Sequence, residues 1–378
     1  MESASRKRSP SPPRETPKEW PELPEDERTG FLEEEGFAWF RLEKWHSVRI
    51  GDIFESRYQV LLKLGFGSVS TAWLCRDLQE HKYVTLKVYE TGHRQALNEN
   101  KVLQHLRVVG PHVCIVHEPL SLSLKDIREL ADGALPESIL KPVVSQILLA
   151  IDYLHSVAHV VHTDIQEGNV MLSVTDQSIF DDAVDEEWGE PMPRKTANDH
   201  VVHTSTPLDM PDDPGPPVII DFGDAQFGPG PFIGEVMPDL YRAPEIILAI
   251  PWDEKIDIWA LGLMIWDMFE GRHLFNKRLP SREASAGAHL ARIISLLGPP
   301  PEDLLKKGGA TAEFFDRDGV FKIQDQVMES SLGSEEQKLD GEEKVDFLAF
   351  LGKMLQWRPE DRFSARELMK DPWLRRQD

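Results

Sequence analysis

Three short apolar runs in the first third of the chain have the composition of β-strands. Polar or glycine-containing segments bound each run, and β-branched, aromatic and leucine side chains fill it, which favours strands over helices. The runs are Tyr58–Leu64, Ser70–Cys75 and Tyr83–Val88. A helical period follows over Ala96–Leu106, and Ile115–Val116 is typical of an edge strand. This region is predicted to be mainly β with one helix.

The pattern changes to helical periods further along the chain. Leu140–His155 predicts an amphipathic helix, and the eleven apolar-rich residues of Trp259–Phe269 predict a buried one that opens near Asp257. Between them Pro217–Ile220 predicts one apolar strand. The second region is therefore predicted to be mainly α.

The apolar pattern fails in two segments. Residues 1–35 hold Ser, Pro and charge with little periodicity, which predicts a disordered leader. Aromatic residues return in 36–57, which predicts an arm packed on the first region. Residues 173–217 contain eleven Asp or Glu, two Lys or Arg and seven prolines. We expect this insertion to be looped out of the fold, because such a composition does not build a core.

Charge adds to this picture through its distribution. The chain of 378 residues has 42 basic and 65 acidic side chains, a net charge of −23. Residues 1–18 carry +3, residues 19–35 carry −7 and residues 173–217 carry −9, which leaves −10 for the rest. Most of the acidic excess is thus predicted to lie in unfolded segments. No basic stripe with interleaved aromatics predicts direct nucleic-acid binding.

Location is predicted from what the sequence lacks. Its longest apolar run is too short to span a membrane and contains Asp267. Two cysteines, Cys75 and Cys114, predict neither a disulfide framework nor a metal site. Arg6-Lys7-Arg8 has no apolar core behind it, so a secretory signal is not expected and a nuclear address is possible. We expect a cytoplasmic and nuclear protein.

The stretch Val160–Met171 is the strongest candidate for chemistry. Asp164 and Asn169 stand five residues apart between apolar runs. Phosphoryl transfer needs a carboxylate near the incoming hydroxyl and a neutral carboxamide that ligates magnesium. A surface loop rich in Asp and Asn can have the same sequence by chance. The interpretation of this motif therefore depends on the other motifs of the chain.

The first region supplies candidate phosphate-binding groups. Gly65–Ser70 joins two predicted strands, and its two glycines allow the backbone to close over phosphates, although an ordinary hairpin turn has the same composition. Lys87 ends a strand about twenty residues later, where a cation must meet the α- and β-phosphates. Glu99 shares a helical face with Leu103 and Leu106, which predicts an inward partner for Lys87 rather than a solvated charge.

Four further residues complete the pattern. Asp221, in Asp221-Phe222-Gly223, is placed to hold magnesium. Asp257 opens a buried helix and can accept hydrogen bonds from the catalytic-loop backbone, while Arg362 is predicted to be a buried partner for Glu245.

Taken together, these motifs resemble the eukaryotic protein kinases over about residues 50–374. Finer features are similar to the SR-protein-specific kinases of fungal type, with the LAMMER kinases as nearest neighbours. They are Leu64–Leu74, Thr163 in a His-Thr-Asp motif, Asp239–Glu245 and His289–Pro300. The resemblance implies an α+β, two-lobed kinase domain over 58–374, with an N-lobe over 58–119 and a C-lobe over 120–374.

The resemblance also implies a reaction and its residues. It implies ATP and Mg²⁺ as cofactors and transfer to serines in basic, Arg/Ser-rich proteins such as splicing factors. Asp164 would be catalytic, Asn169 and Asp221 would hold metal, and Gln166 would contact the γ-phosphate. The implied ATP-binding residues are Leu64, Gly65, Phe66, Gly67, Ser68, Val69, Ser70, Thr71, Ala72, Lys87, Glu99, Glu118 and Leu120.

An alternative remains at this stage. Gln166 replaces the lysine usual in the catalytic loop, and Ser70 replaces a third glycine. The long spacer that the family has between the catalytic loop and the magnesium-binding Asp is short in this chain. A pseudokinase that binds nucleotide or partners without turnover therefore stays open beside an active kinase.

Overall fold

The structure, a computed structural model, describes residues 11–17, 20–24, 30–103, 106–109, 112–197, 200–275 and 282–376. The strands are β1 (Ile53–Phe54), β2 (Tyr58–Phe66), β3 (Ser70–Asp77), β4 (Lys82–Tyr89), β5 (Leu106–Val109), β6 (His112–His117), β7 (Leu120–Ser123), β8 (Val160–Val161), β9 (Val170–Val174), β10 (Arg194–Ala197), β11 (His200–His203), β12 (Pro214–Ile219) and β13 (Gln226–Phe227).

The helices differ greatly in length, and most of them follow the last strand. They are α1 (Arg94–Leu103), α2 (Leu124–Leu130), α3 (Glu137–Tyr153), α4 (Ser178–Gly189), α5 (Pro244–Ile247), α6 (Lys255–Glu270), α7 (Arg282–Leu297), α8 (Glu302–Leu305), α9 (Thr311–Phe314), α10 (Leu332–Glu335), α11 (Gly341–Gly352), α12 (Ala365–Leu368) and α13 (Pro372–Arg375). None of the helices in the described ranges is both long enough and apolar enough to cross a membrane.

The chain forms two compact units. Unit 1 comprises Met1–Leu122 and Leu172–Gly215, and unit 2 comprises Ser123–Met171 and Pro216–Asp378. The mainly β first region and the mainly α second region predicted from the sequence are both confirmed. Unit 1 contains a second helix, α4, in addition to the one expected.

Unit 1 is built on a six-stranded sheet in the order β1-β2-β3-β4-β6-β5, in which neighbouring strands are antiparallel. Successive side chains of β3 point to opposite faces of the sheet. Trp73 and Cys75 enter one apolar cluster with Val60 and Leu86, whereas Leu74 enters another. The sheet is thus buried on both faces.

Two local predictions differ from the structure. Helix α1 ends at Leu103, and Leu106 begins strand β5 instead of extending the helix. Strand β6, which contains Ile115–Val116, lies between β4 and β5 and is therefore interior, not an edge strand. Strand β5 has only four residues, which is too short for its apolar pattern to stand out in the sequence.

The expectation that residues 173–217 are looped out of the fold is wrong for the described part of the segment. Phe180, Ala183 and Val184 of α4 are buried against Leu61, Leu62 and Leu74, on the second face of the sheet. Trp188 Nε1 also donates to the carbonyl oxygen of Leu61 at 3.0 Å. The insertion therefore supplies the layer that closes this face.

The leader is likewise ordered wherever the structure describes it. Trp20 packs against the cluster on the first face, and Leu23 N donates to Arg194 O at 2.9 Å. Residues Glu33–Gly36 form a 3₁₀-helix whose Glu34 is an ion-pair partner of the fully buried Lys63. The disorder predicted for these parts of 1–35 was wrong, since buried cations in unit 1 require the acids of this segment as partners. Arg6-Lys7-Arg8 lies outside the described residues.

Unit 2 is organised around α6. Every residue from Ile256 to Phe269 is buried, including Trp259 and Trp266. A helix that is apolar on all sides belongs in an interior, as the sequence pattern predicted. Asp257, the residue predicted to accept hydrogen bonds from the catalytic-loop backbone, lies in the first turn of this buried helix.

Candidate active site

The glycine-containing turn of unit 1 is held between two long antiparallel strands. Gly65 pairs with Ala72 across the ladder, and Gly67 N donates to Ser70 O at 2.7 Å. Ser70, in the place of a third glycine, is buried, whereas Phe66 and Ser68 at the tip are exposed. The turn therefore has a fixed base and an exposed tip. Leu64, Val69 and Thr71 complete the predicted set, and their nucleotide-binding role stays a prediction.

Lys87 and Glu99 form the ion pair expected from their spacing. Lys87 Nζ lies 2.9 Å from Glu99 Oε2 in the interior of unit 1. Tyr89, two residues along β4, donates its hydroxyl to the same Glu99 oxygen, and its ring centroid lies 5.0 Å from Lys87 Nζ. The sequence analysis missed Tyr89, although alternation along the strand places it on the face of Lys87.

Two of the predicted ATP-binding residues, Glu118 and Leu120, follow β6. Leu120 is buried, and the Glu118 side chain is 87% exposed. The carbonyl oxygen of Glu118 lies 2.7 Å from His117 Nδ1. Their role in ATP binding stays a prediction.

In unit 2, Asp257 fixes the backbone of the catalytic loop. Its carboxylate accepts bonds from His162 N and Thr163 N, both at 2.8 Å, and lies 2.9 Å from His155 Nε2. Thr163 has φ = 71°. A β-branched residue rarely occupies this left-handed region, so the two bonds to Asp257 hold the loop in a strained turn just before Asp164.

Asp164 is held by two amide donors. Gln166 Nε2 donates to Asp164 Oδ1 and Asn169 Nδ2 donates to Asp164 Oδ2, both at 2.7 Å. Burial raises the pKa of Asp164; the charge of His162 and the two amide bonds act in the opposite direction, while Asp221 adds to the rise. The carboxylate is thus oriented, and its pKa is moved toward the range useful to a base.

Asn169 and Asp221 lie close together. Ile220 N donates to Asn169 O at 2.9 Å, which joins the two segments directly before Asp221. Both side-chain bonds of Asn169 use its amide nitrogen, so its carboxamide oxygen is the atom suited to a metal. Among the described residues, no cluster of three His, Cys, Asp or Glu side chains can hold a metal alone. One carboxylate and one carboxamide fit a magnesium ion that arrives with phosphate oxygens and water as its other ligands.

The structure brings Glu245 and Arg362 together. Arg362 donates to both Glu245 oxygens at 2.6 and 2.7 Å, and both side chains are fully buried. Arg362 also donates to the carbonyl oxygens of Gln356 and Lys255, each at 3.0 Å. This bidentate pair joins segments 117 residues apart in the sequence.

A second bidentate pair was not foreseen. Arg128 donates to both carboxylate oxygens of Glu167 at 2.7 Å, which fixes the residue next to Gln166. Nothing in the spacing of two residues 39 positions apart signals this contact. Gln166 is the predicted γ-phosphate contact. In the structure its side-chain amide donates instead to the Asp164 carboxylate.

Comparisons with known proteins agree with this geometry. A family model described as the protein kinase domain matches residues 58–184 and 209–374. A serine/threonine protein kinase of Aspergillus fumigatus is 40% identical over 369 residues, covering 91% of this chain and 91% of that protein. A serine/threonine-protein kinase named SRPK from Physarum polycephalum is 28% identical, covering 90% and 91%.

More distant relatives extend the same picture. Human SRSF protein kinase 3 is 24% identical and covers 87% of this chain and 88% of its own. The crystal structure of a kinase domain aligns with a TM-score of 0.65 at 22% identity, over 88% of this chain and 100% of the other, which shows the fold alone. The chain therefore belongs to the protein kinase family, in which it is a serine/threonine kinase similar to the SR-protein kinases.

Proposed function

We propose that this kinase transfers the γ-phosphate of magnesium-bound ATP to serines in Arg/Ser-rich proteins such as splicing factors. The observation that carries the transfer step is Asp164, half-buried and oriented by Gln166 and Asn169. The substrate class is supported by the relatives named SRPK and SRSF protein kinase, and by a net charge of −23, which attracts basic peptides.

The residues divide the reaction between them. Lys87, held by Glu99, contacts the α- and β-phosphates, and the glycine turn covers the phosphates. Asn169 and Asp221 would hold magnesium, which would supply neutralisation of charge on the phosphate oxygens. The serine hydroxyl oxygen bonds to the γ-phosphorus, and the bond from that phosphorus to the bridging oxygen of ADP breaks. The hydroxyl proton passes to Asp164.

A pseudokinase is the competing function, and Gln166 is the residue that favours it. A lysine there would add positive charge beside the transferred phosphoryl group, and Gln166 supplies only a neutral donor. The metal-binding pair and the carboxylate are all retained, and they perform most of the neutralisation and proton transfer. We therefore favour turnover that is slower than with lysine.

A radiolabelled-ATP assay on an Arg-Ser repeat peptide separates the two functions. We expect label transfer by the wild type, and none by Asp164→Ala, while calorimetry still detects ATP binding by that variant. Equal inactivity of both proteins with magnesium and ATP would establish the pseudokinase. An unbiased peptide library tests the substrate class independently: selection of acidic or proline-directed serines would contradict the Arg/Ser preference and leave the kinase activity intact.

We also propose a cytoplasmic and nuclear location, supported by the basic run Arg6-Lys7-Arg8. A fluorescent fusion should enter the nucleus, and replacement of the three residues by alanine should reduce the nuclear fraction. An unchanged nuclear fraction would contradict the role of this run.

A further inference from the structure

The N-terminal arm touches the tip of the glycine turn in unit 1. Trp39 Nε1 donates to the carbonyl oxygen of Ser68 at 3.1 Å. Phe37 stacks on Trp39 with ring centroids 5.1 Å apart and meets Phe66 edge-on at 5.9 Å. Both residues contacted in the turn belong to its exposed tip, where Phe66 is 42% exposed.

The last two residues of the leader, Glu34 and Glu35, anchor the arm that follows them, and Glu34 binds the strand that leads into this turn. Glu34 Oε2 lies 2.6 Å from Nζ of Lys63, and Lys63 is fully buried on β2, two residues before Gly65. Lys63 Nζ also lies 5.4 Å from the Phe66 ring centroid. Glu35 is 2.8 Å from Lys195 Nζ, so the base of the arm is fixed on its other side to β10. Because the ion pair at Lys63 lies two residues before Gly65, it positions the rings of Phe37 and Trp39 next to the turn.

These rings act on the turn and not on the core. Trp39 is 54% exposed, and its contacts are the stack on Phe37 and the hydrogen bond to Ser68 O. Within the turn, Phe66 pairs with Thr71 across the ladder and Gly67 N donates to Ser70 O, and the bond from Trp39 is added at Ser68. A glycine turn pays entropy when it orders over phosphates, and a contact that orders it beforehand lowers this cost.

We propose that Phe37 and Trp39 are positioning residues that hold the Phe66–Ser68 tip in a preformed arrangement for nucleotide phosphates. The proposal rests on the proposed function in that the ligand is ATP. The order of the turn in the nucleotide-free protein is independent of that assumption.

Hydrogen exchange tests the holding of the turn without any nucleotide. We expect faster amide exchange in residues 64–70 of Trp39→Ala and, to a smaller extent, of Trp39→Phe, which keeps the stack but lacks the Nε1–H donor. Phe31→Ala is the matched control. Phe31 is an aromatic residue of the leader, shortly before the arm, and is 84% exposed. Unchanged exchange in both Trp39 variants would overturn the proposal.

Nucleotide binding and kinetics test the consequence. Loss of one hydrogen bond predicts an increase of about three- to tenfold in the dissociation constant for MgADP in Trp39→Ala. The KM for ATP should rise similarly, with kcat at saturating ATP and the thermal midpoint unchanged. A fall in kcat and thermal midpoint with an unaltered KM would mean a structural role only and would overturn the proposal. If the wild type itself fails to bind MgADP, the kinase function falls, and the exchange experiment still decides the order of the turn.

Discussion

Gln166 shows how one side chain sets the chemistry of its neighbour. It replaces a cation with an amide, and that amide donates to Asp164 Oδ1 at 2.7 Å. Burial raises the pKa of Asp164, and the bond from Gln166 works in the opposite direction. The residue therefore favours the deprotonated form of the carboxylate that must accept the proton.

A pair of variants at this position should move the acid limb of the pH profile in opposite directions. Gln166→Ala removes a donor to the charged form, so the pKa of Asp164 rises further and activity is lost at a higher pH. The acid limb of kcat/KM should move upward by about one pH unit. Gln166→Lys supplies a donor with a positive charge, so its limb should move downward and its rate at neutral pH should equal or exceed that of the wild type. Profiles that coincide for all three proteins would contradict this role.

At the residue scale, the sequence predicted the pairs whose chemistry demands a partner. Lys87 with Glu99 and Arg362 with Glu245 each join a cation to a buried anion, and both pairs form. Lys63 was not foreseen, because a lysine in a strand ordinarily faces solvent. Its partner Glu34 lies in a segment whose composition masked any structure, so no local signal linked the two residues.

The segment Asp224–Leu240, which corresponds to the activation segment of kinases, shows how an element can be ordered without modification. Thr163 stands where many kinases have an arginine, and its Oγ1 donates to Asp224 O at 3.1 Å. From Asp224 to Leu240 the sequence has no Ser, Thr or Tyr. A direct hydrogen bond thus joins the catalytic loop to the start of a segment that has no hydroxyl to phosphorylate.

We expect the enzyme to be active as synthesised. Phosphatase treatment should leave its rate unchanged, as measured by transfer to an Arg-Ser peptide. Thr163→Val, which removes the hydroxyl and keeps the shape, should lower kcat about three- to tenfold, and Thr163→Ser should retain most activity. Loss of activity on phosphatase treatment, traced to a residue of the activation segment, would refute this mechanism.

Helix α4 should be essential to the stability of unit 1. Phe180 is fully buried on the second face of the sheet. Phe180→Ala should lower the free energy of unfolding by about 3–5 kcal/mol, as measured by denaturant titration. Asp182→Ala, at an exposed position of the same helix, is the control and should change it little. Equal stability of the two variants would mean that α4 is dispensable.

The sequence carried a signal for α4 that composition concealed. Phe180, Ala183, Val184 and Trp188 follow the spacing of an amphipathic helix. Acidic residues and flanking prolines dominated the average over the segment, so the short apolar stripe was missed. The hairpin of β10 and β11 had no comparable period, since its strands are four residues each.

For the whole molecule, acidic residues of the leader and the insertion are part of the folded unit 1 wherever the structure describes them. The described parts of these two acidic segments are therefore not remote tails. A surface with this charge attracts a basic peptide over distances comparable with the Debye length.

Binding of substrate should therefore weaken with salt. The KM for an Arg-Ser peptide should rise several-fold from low to high ionic strength, while kcat changes little. A peptide with the same serines and neutral flanking residues is the control, and its KM should vary much less. Parallel salt dependences for the two peptides would rule out electrostatic recognition.

The contacts of Lys63 also determine when unit 1 can be completed during synthesis. Lys63 Nζ donates to the carbonyl oxygen of His203, 140 residues later in the chain, at 2.9 Å. At ribosomal rates of about 5–20 residues per second, that interval is roughly 7–28 s. Until α4 has been synthesised, one apolar face of the sheet is uncovered. Until His203 has been synthesised, Lys63 lacks one of its hydrogen-bond acceptors. The nascent chain must therefore remain soluble while the whole catalytic loop is made, and the first unit to begin folding finishes only after part of the second has been synthesised.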